Sequence, residues 1–167
     1  MKKLPIAAAF ILAFAVTTAQ AEKLKVTLSG YQEVPMSLSS GGAAEFEAEI
    51  RDAVEGPRIA WKLSYNNGFS SPVQQAHIHF GQRHTNGGIS IFLCTNLGNG
   101  PAGTQACPVG PVTIEGEAAA GDVIGPAGQL IAAIRAGVAY VNIHTTMFAG
   151  GEIRGQFPDH PGAAHRD

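Results

Sequence analysis

Apolar and polar residues alternate along most of this chain, which is the pattern of β-strands that bury one face. In the segment 23–29, Leu24, Val26 and Leu28 are apolar, whereas the residues between them are lysine and threonine. Such alternation, together with short apolar runs between turns, predicts strands over 23–29, 43–51, 58–65, 73–80, 88–94, 109–116, 138–145 and 151–157.

One segment, residues 127–136, departs from the period of two. Leu130, Ile131 and Ile134 have the spacing of one helix face, and Gly137 is a typical stop signal. A short helix is therefore predicted over this segment.

The order of these elements favours an all-β fold. The 21 glycines and 10 prolines lie largely between the apolar runs, as turns between short strands require. We expect an antiparallel Greek-key sandwich or barrel of about seven or eight strands with one short helix. Because no repeat or linker interrupts the pattern, it predicts one domain over 22–157, followed by a polar, frayed tail over 158–167.

The first 21 residues have the composition of a secretory signal peptide. Lys2 and Lys3 precede an apolar run from Ile6 to Val16, and Ala19-Gln20-Ala21 is a small-x-small cleavage site. Cleavage would leave a mature chain that begins at Glu22, in the periplasm or the medium. The run is shorter than the roughly 20 residues of a membrane span, so no membrane anchor is expected after cleavage. The rival interpretation is a buried N-terminal helix.

Charge adds little to this picture. The chain has a formal net charge of −2, and only 14% of its residues are charged. Loss of the two lysines of the signal segment would make the mature chain more acidic. The sequence contains no basic patch typical of nucleic-acid or membrane-surface binding, so neither partner is expected.

Two cysteines, Cys94 and Cys107, flank a segment rich in glycine. In an oxidising compartment such a pair is expected to form a disulfide. The alternative, a pair of metal thiolates, lacks further cysteine or histidine ligands at zinc spacing.

Histidines give the most informative pattern. His77 and His79 are two residues apart on a predicted strand, so they share one face, while Ile78 occupies the opposite, apolar face. On the late strand, His144 lies on the face opposite to Val141 and Ile143. The imidazoles should therefore point away from the core and gather on one outer patch if the strands are neighbours.

The final strand should extend the same patch. By alternation, Glu152 and Arg154 point outward, and an ion pair between them is the simplest expectation for two such residues. Neither cysteine is expected to be free and no nucleophile elbow occurs, so nucleophilic catalysis has little support.

Three interpretations of the patch remain open. The imidazoles could hold copper or zinc, since borderline metals favour nitrogen ligands. They could instead form a hydrogen-bonded network with Glu152 and Arg154 beneath a loop over 81–87, or they could be ordinary solvated residues.

Four motifs, in this order, resemble the CHRD (chordin) domain family. They are Leu28-Ser29-Gly30-Tyr31-Gln32-Glu33-Val34-Pro35, Ala76-His77-Ile78-His79-Phe80-Gly81, Gly137-Val138-Ala139-Tyr140-Val141-Asn142-Ile143-His144-Thr145 and Gly150-Gly151-Glu152-Ile153-Arg154-Gly155-Gln156. The resemblance implies an all-β domain found in secreted bacterial proteins and repeated in chordin. It does not supply an activity.

The segment from His77 to Gly81 is also similar to an element of the copper site of copper–zinc superoxide dismutases. The resemblance implies a single copper ion on His77, His79 and His144, with Glu152 or His84 as a possible fourth ligand. The zinc subsite of that family has no matching set of ligands here. Arg154 would correspond to the arginine near the open copper position.

Two functional hypotheses follow. The first is an exported binding or envelope module with an extracellular protein partner, whose histidines form a structural network or bind one copper ion. The second is a copper-dependent redox protein that resembles a copper-only superoxide dismutase, in which Arg154 would attract the anion. Copper is the one cofactor predicted.

Overall fold

The computed structural model describes residues 21–158, and the predicted signal segment and tail lie almost entirely outside them. Eight strands, two short 3₁₀ helices and one α-helix make up the described chain. The strands are β1 (Glu22–Ser29), β2 (Ala43–Arg51), β3 (Arg58–Tyr65), β4 (Val73–Phe80), β5 (Gly88–Thr95), β6 (Val112–Ala118), β7 (Ala139–Thr145) and β8 (Ile153–Gln156). The 3₁₀ helices cover Gly30–Gln32 and Ala120–Asp122, and helix α1 covers Ala127–Arg135.

All strand pairs are antiparallel and belong to one sheet. The order across the sheet is β5-β4-β7-β8-β1-β2-β3-β6, and the sheet curls into a nearly closed barrel. Chain connections after β3, β5 and β6 pass from one half of the sheet to the other. The predicted antiparallel all-β fold with one short helix is confirmed.

The interior is filled by the apolar residues that alternate along each strand. Phe46 and Phe157 meet edge to face near its centre, with ring centroids 5.8 Å apart. Helix α1 adds Leu130 and Ile134, which are both buried. Edge-to-face pairs of this kind stabilise a core beyond their buried area.

One strand begins later than the alternation predicted. The segment 109–116 was expected to be a strand, but β6 covers Val112–Ala118. Pro111 has no N–H to donate to a ladder, which explains why pairing with β3 starts at Val112.

A disulfide joins Cys94 to Cys107 with an S–S distance of 2.04 Å, as predicted. Cys94 lies in β5, one edge of the sheet, and the segment after it returns towards the other edge, β6. The Thr95 N–H donates to the carbonyl of Gln105 over 2.9 Å, and the Gln105 side chain donates to the carbonyl of Glu115 over 3.0 Å. The disulfide therefore fixes the segment that bridges the two edges.

Candidate metal centre

The three predicted histidines meet on the outer face of neighbouring strands. β4 pairs with β7 in a register that places Gln75 opposite His144 and His77 opposite Asn142. This register brings the three rings together: the centroids of His77 and His144 are 4.9 Å apart, and those of His77 and His79 are 5.4 Å apart. The adjacency of these strands, on which the predicted patch depended, is confirmed.

Ile78, Val141 and Ile143 lie on the opposite face and belong to the hydrophobic core, as the alternation predicted. The histidine face nevertheless is not open to solvent. The exposed fractions of His77, His79 and His144 are 1%, 6% and 7%. The interpretation of the histidines as ordinary solvated residues is therefore wrong, because segments from elsewhere in the chain cover the outer face.

Aromatic rings form the immediate surroundings. Phe92 of β5 meets His77 edge to face at a centroid distance of 4.4 Å. Tyr140 stacks on His79 at 4.7 Å with an interplanar angle of 4°. These contacts fix the orientation of two of the three imidazoles. Phe92 was not identified as a site residue from the sequence, because the alternation of β5 does not show which side chains of β4 Phe92 contacts.

The segment 81–87 covers one side of the cluster. The carbonyl of Gly87 accepts a hydrogen bond from His79 Nδ1 over 3.1 Å, and its N–H donates to the Tyr140 hydroxyl over 3.0 Å. Arg154 donates to the carbonyls of Thr85 and Gln82 over 2.8 and 3.0 Å. We name this segment the 81–87 loop.

Ring nitrogens without partners distinguish the cluster from the rest of the protein. In residues 21–158, every buried side-chain nitrogen or oxygen that lacks a hydrogen-bond partner belongs to these rings: His77 Nδ1 and Nε2, His79 Nε2 and His144 Nε2. One nitrogen of each ring lies within 4.8 Å of one nitrogen of each of the others.

Two of the rings have a defined tautomer. His79 Nδ1 contacts the Gly87 carbonyl, and His144 Nδ1 contacts the Ala149 carbonyl over 3.0 Å. A carbonyl only accepts, so each Nδ1 carries the proton and each Nε2 keeps a free lone pair. Metal-binding histidines are held in this way in known sites, with the second nitrogen bonded to a carbonyl or carboxylate.

Burial keeps the rings uncharged. It lowers the pKa of His77 to about 3, with smaller contributions from His144 and His79. Burial also lowers the pKa of His79 to about 4, opposed by the hydrogen bond to Gly87 and supported by smaller electrostatic contributions from His144 and Arg154. The pKa of His144 is lowered for the same reason. Neutral imidazole is the form that binds a metal.

Glu152, a possible fourth ligand, is turned away from the three rings. One carboxylate oxygen accepts from the Ser40 hydroxyl and from the Ser70 N–H over 2.8 Å, and the other accepts from the Thr145 hydroxyl over 2.7 Å. Burial raises the pKa of Glu152, but these hydrogen bonds outweigh it and hold the pKa below its usual range. The group of ligand atoms within 4.8 Å of one another does not include Glu152.

The prediction of an ion pair between Glu152 and Arg154 is wrong. Among the described residues, Arg154 has no carboxylate within 4.0 Å and bonds instead to carbonyls and to Gln156. Glu152 precedes β8 and follows Gly151, whose φ of +131° turns the chain, so the alternation of the strand does not extend to it.

His84, the other possible fourth ligand, lies exposed in the 81–87 loop with a φ of +66°. It is not part of the group of ligand atoms formed by His77, His79 and His144.

Glu33 was not identified as a site residue from the sequence. Glu33 lies in the segment after β1 and is 5% exposed. Its carboxylate accepts a hydrogen bond from the side chain of Asn142 in β7. Burial raises the pKa of Glu33 to about 7, opposed by the hydrogen bond from Asn142 and by the charge of Arg154. Its position in the first of the four motifs was the only available signal, since no periodicity covers that segment.

The model of the CHRD domain family matches residues 24–157, which include all eight strands apart from the first two residues of β1. The chain belongs to the CHRD domain family. No curated protein and no solved structure matches this CHRD domain. The local resemblance to copper–zinc superoxide dismutases therefore stays a prediction about the chemistry of the three histidines.

In the described residues of the CHRD domain, no helix is both long and apolar enough to cross a membrane. The disulfide is compatible with a periplasmic or secreted protein.

Proposed function

We propose that this CHRD domain is an exported copper-binding protein that holds one copper ion between His77, His79 and His144. The observation that carries the proposal is the set of four buried ring nitrogens without partners. Leaving a buried polar atom unpaired costs about 1–3 kcal/mol. A bound metal ion supplies the missing partner at each ring.

The spacing of the rings fits such an ion. Copper–nitrogen bonds of about 2.0–2.1 Å place two ligand atoms at most about 4.2 Å apart. The nitrogens lie within 4.8 Å of one another, so an ion would draw them together. The movement is on the order of 0.5 Å per ring for three-coordinate geometry. Rotation of the imidazoles about their side-chain bonds is sufficient.

The donor set favours copper over the other common metals. Three neutral imidazoles without a carboxylate suit a borderline metal, and copper(II) is bound more tightly than zinc by a given set of nitrogen ligands. When bound, copper would supply one-electron chemistry, while the protein would supply three neutral rings, the fixed tautomers of His79 and His144, and exclusion of water.

A purely structural network receives less support from the same geometry. Such a network would pair the imidazoles with carboxylates or amides, whereas His77 makes no hydrogen bond at either nitrogen. Glu152, the expected partner, bonds to Ser40, Ser70 and Thr145 instead.

Burial favours storage or delivery of copper over superoxide dismutation. Turnover requires an open coordination position that the anion can reach, and none of the three rings is more than 7% exposed. The guanidinium of Arg154 is also engaged by the 81–87 loop. A redox enzyme would have to open this loop in each cycle.

Calorimetric titration of the mature protein with copper tests the proposal. We expect one equivalent to bind, and His77→Leu and His144→Leu each to abolish binding. A variant with His160→Asn and His165→Asn serves as the control for the tail and should bind normally. Binding that survives both ring substitutions would contradict the proposal, as would protein purified from its own compartment that carries no copper.

A further inference from the structure

The His79 ring belongs to a stack that crosses three neighbouring strands. Tyr140 of β7 is opposite His79 of β4 in the register, and it stacks on that ring at a centroid distance of 4.7 Å. The guanidinium carbon of Arg154, from β8, lies 3.5 Å from the centroid of the Tyr140 ring. Because β7 lies between β4 and β8, the tyrosine separates the histidine from the arginine.

Arg154 is a buried cation without a counter-ion in contact. It is 2% exposed, and its three hydrogen bonds go to two carbonyls and the Gln156 amide oxygen. Arginine stays protonated in proteins, so the charge cannot be removed by titration. Asn142 and Gln156 are neutral, and the described residues place no carboxylate within 4.0 Å of Arg154.

This charge lies close to the cluster. Only the Tyr140 ring separates the Arg154 guanidinium from the His79 imidazole. A fixed positive charge at this distance disfavours additional positive charge on a metal bound to the His79 ring. The three ligands are neutral and cannot compensate a divalent ion, whose burial is more costly than that of a monovalent one.

We propose that Arg154, acting through the Tyr140 stack, makes the three-histidine site selective for monovalent copper over copper(II) and other divalent cations. The inference rests on the proposed copper site and assigns the oxidation state that it takes. Arg154 is a specificity-determining residue in this account and not a metal ligand.

The size of the effect follows from the separation. The guanidinium lies roughly 8 Å from the His79 ring along the stack. At an effective dielectric of about 20, one unit charge at that distance changes the affinity of the site for a metal ion with one additional positive charge roughly thirtyfold. A thirtyfold change in the ratio of the two copper affinities corresponds to about 90 mV in the one-electron potential.

The test compares the copper(I) and copper(II) affinities of the full mature protein, measured by competition with chelators specific for each ion, and the potential of the bound copper. The native protein should bind copper(I) more tightly. Arg154→Gln should lower that preference about thirtyfold and the potential by about 90 mV. Arg154→Lys, which keeps the charge, should stay close to native. Arg83→Gln removes an exposed charge of the same loop region and should have little effect.

A second variant removes a negative charge near the cluster and leaves Arg154 in place. Glu33 is buried near Arg154, and its charge is coupled to that of the arginine. At pH 8, where Glu33 is ionised, Glu33→Gln should raise the preference for copper(I). This variant decides the matter if Arg154→Gln does not fold.

The outcomes are distinguishable. Copper of neither oxidation state at the three histidines would overturn the proposed function itself. Copper binding with an unchanged preference in Arg154→Gln, or in Glu33→Gln where only that variant folds, would overturn the role of Arg154 alone. A native protein that prefers copper(II) would do the same.

Discussion

His77 is the residue on which the account depends most. Both of its ring nitrogens are buried without a partner, and its nearest neighbours are Phe92, His79 and His144. Burial of this side chain lowers the free energy of unfolding of the metal-free protein, because the ring loses its hydrogen bonds to water on folding and gains none in return. The proposed copper site gives this buried ring a role that stability does not.

Replacing His77 by leucine should therefore stabilise the metal-free protein. The two side chains are similar in size, and leucine removes the unpaired nitrogens, so we expect the free energy of unfolding to rise by about 1 kcal/mol. Chemical denaturation of both proteins without metal measures this. His84→Asn, at an exposed position whose positive φ asparagine tolerates, is the control and should change little. A structural network would give the reverse result, a clear loss of stability in His77→Leu.

The three depressed pKa values make a prediction about pH. Between pH 6.5 and about 4, the unfolded chain takes up protons on its histidines, whereas His77 and His79 in the folded protein do not. These two groups therefore leave the free energy of unfolding unchanged with pH above about 6.5 and lower it as the pH falls below that value. Glu33 titrates with the opposite sign, since its pKa is raised.

Comparison with His77→Leu isolates the histidine contribution. The melting temperature of the metal-free native protein should fall more steeply from pH 6.5 to 4.5 than that of the His77→Leu variant. Equal slopes in the two proteins would show that His77 is protonated in the folded state. Proton release from His77 and His79 should contribute nothing to the pH dependence of copper affinity between pH 5 and 8, because both rings are already neutral there.

At the scale of elements, the 81–87 loop closes the site through glycine backbone. A Cβ atom at Gly87 would lie 1.8 Å from the Phe80 carbonyl oxygen, whereas a Cβ at Gly88 would meet nothing within 4 Å. Gly87 also provides both the acceptor for His79 and the donor for Tyr140. The loop can reach the cluster only because residue 87 lacks a side chain.

Gly87→Ala should consequently open the loop, while Gly88→Ala should not. We expect Gly87→Ala to lower the free energy of unfolding by about 2 kcal/mol and to speed the release of bound copper to a chelator. Thermal unfolding and stopped-flow chelation measure the two effects. Similar behaviour of the two alanine variants would refute the role assigned to the loop.

The elements themselves were largely predictable from the sequence. Alternation alone placed β2, β3 and β4 at their observed bounds, because each strand directs its alternate apolar residues towards a single core. It failed at β6, where Pro111 delays pairing, and at Glu152, where the turn at Gly151 ends the alternation. Local backbone chemistry at these two positions overrides the period of two.

At the scale of the whole molecule, the cover over the histidines could not be predicted. Alternation correctly assigned the imidazoles to the outer face, but their burial depends on contacts between distant segments, such as Glu33 with Asn142 and Arg154 with Thr85. The order of the strands in the sheet could not be predicted either, because the sequence does not show which strands pair. The cluster of three histidines could thus be predicted from the sequence, whereas the enclosure that lowers their pKa values could not.

The segment between Cys94 and Cys107, which connects the two edges of the sheet, leads to a further prediction. Reduction of the disulfide between Cys94 and Cys107 releases the segment that bonds to both β5 and β6. We expect reductant to lower the free energy of unfolding by about 3 kcal/mol, in the chain-entropy account of a loop of this length. Copper binding should persist in the reduced folded protein, since no ligand lies in that segment. Unchanged stability on reduction would contradict this view of the bridge.

The most direct test of the copper site is an anomalous difference map at the copper edge from crystals of the loaded mature protein. The account predicts a single strong peak about 2 Å from Nε2 of His79, Nε2 of His144 and one nitrogen of His77. Loaded crystals with no peak between these three rings, or with copper only at other side chains, would contradict it.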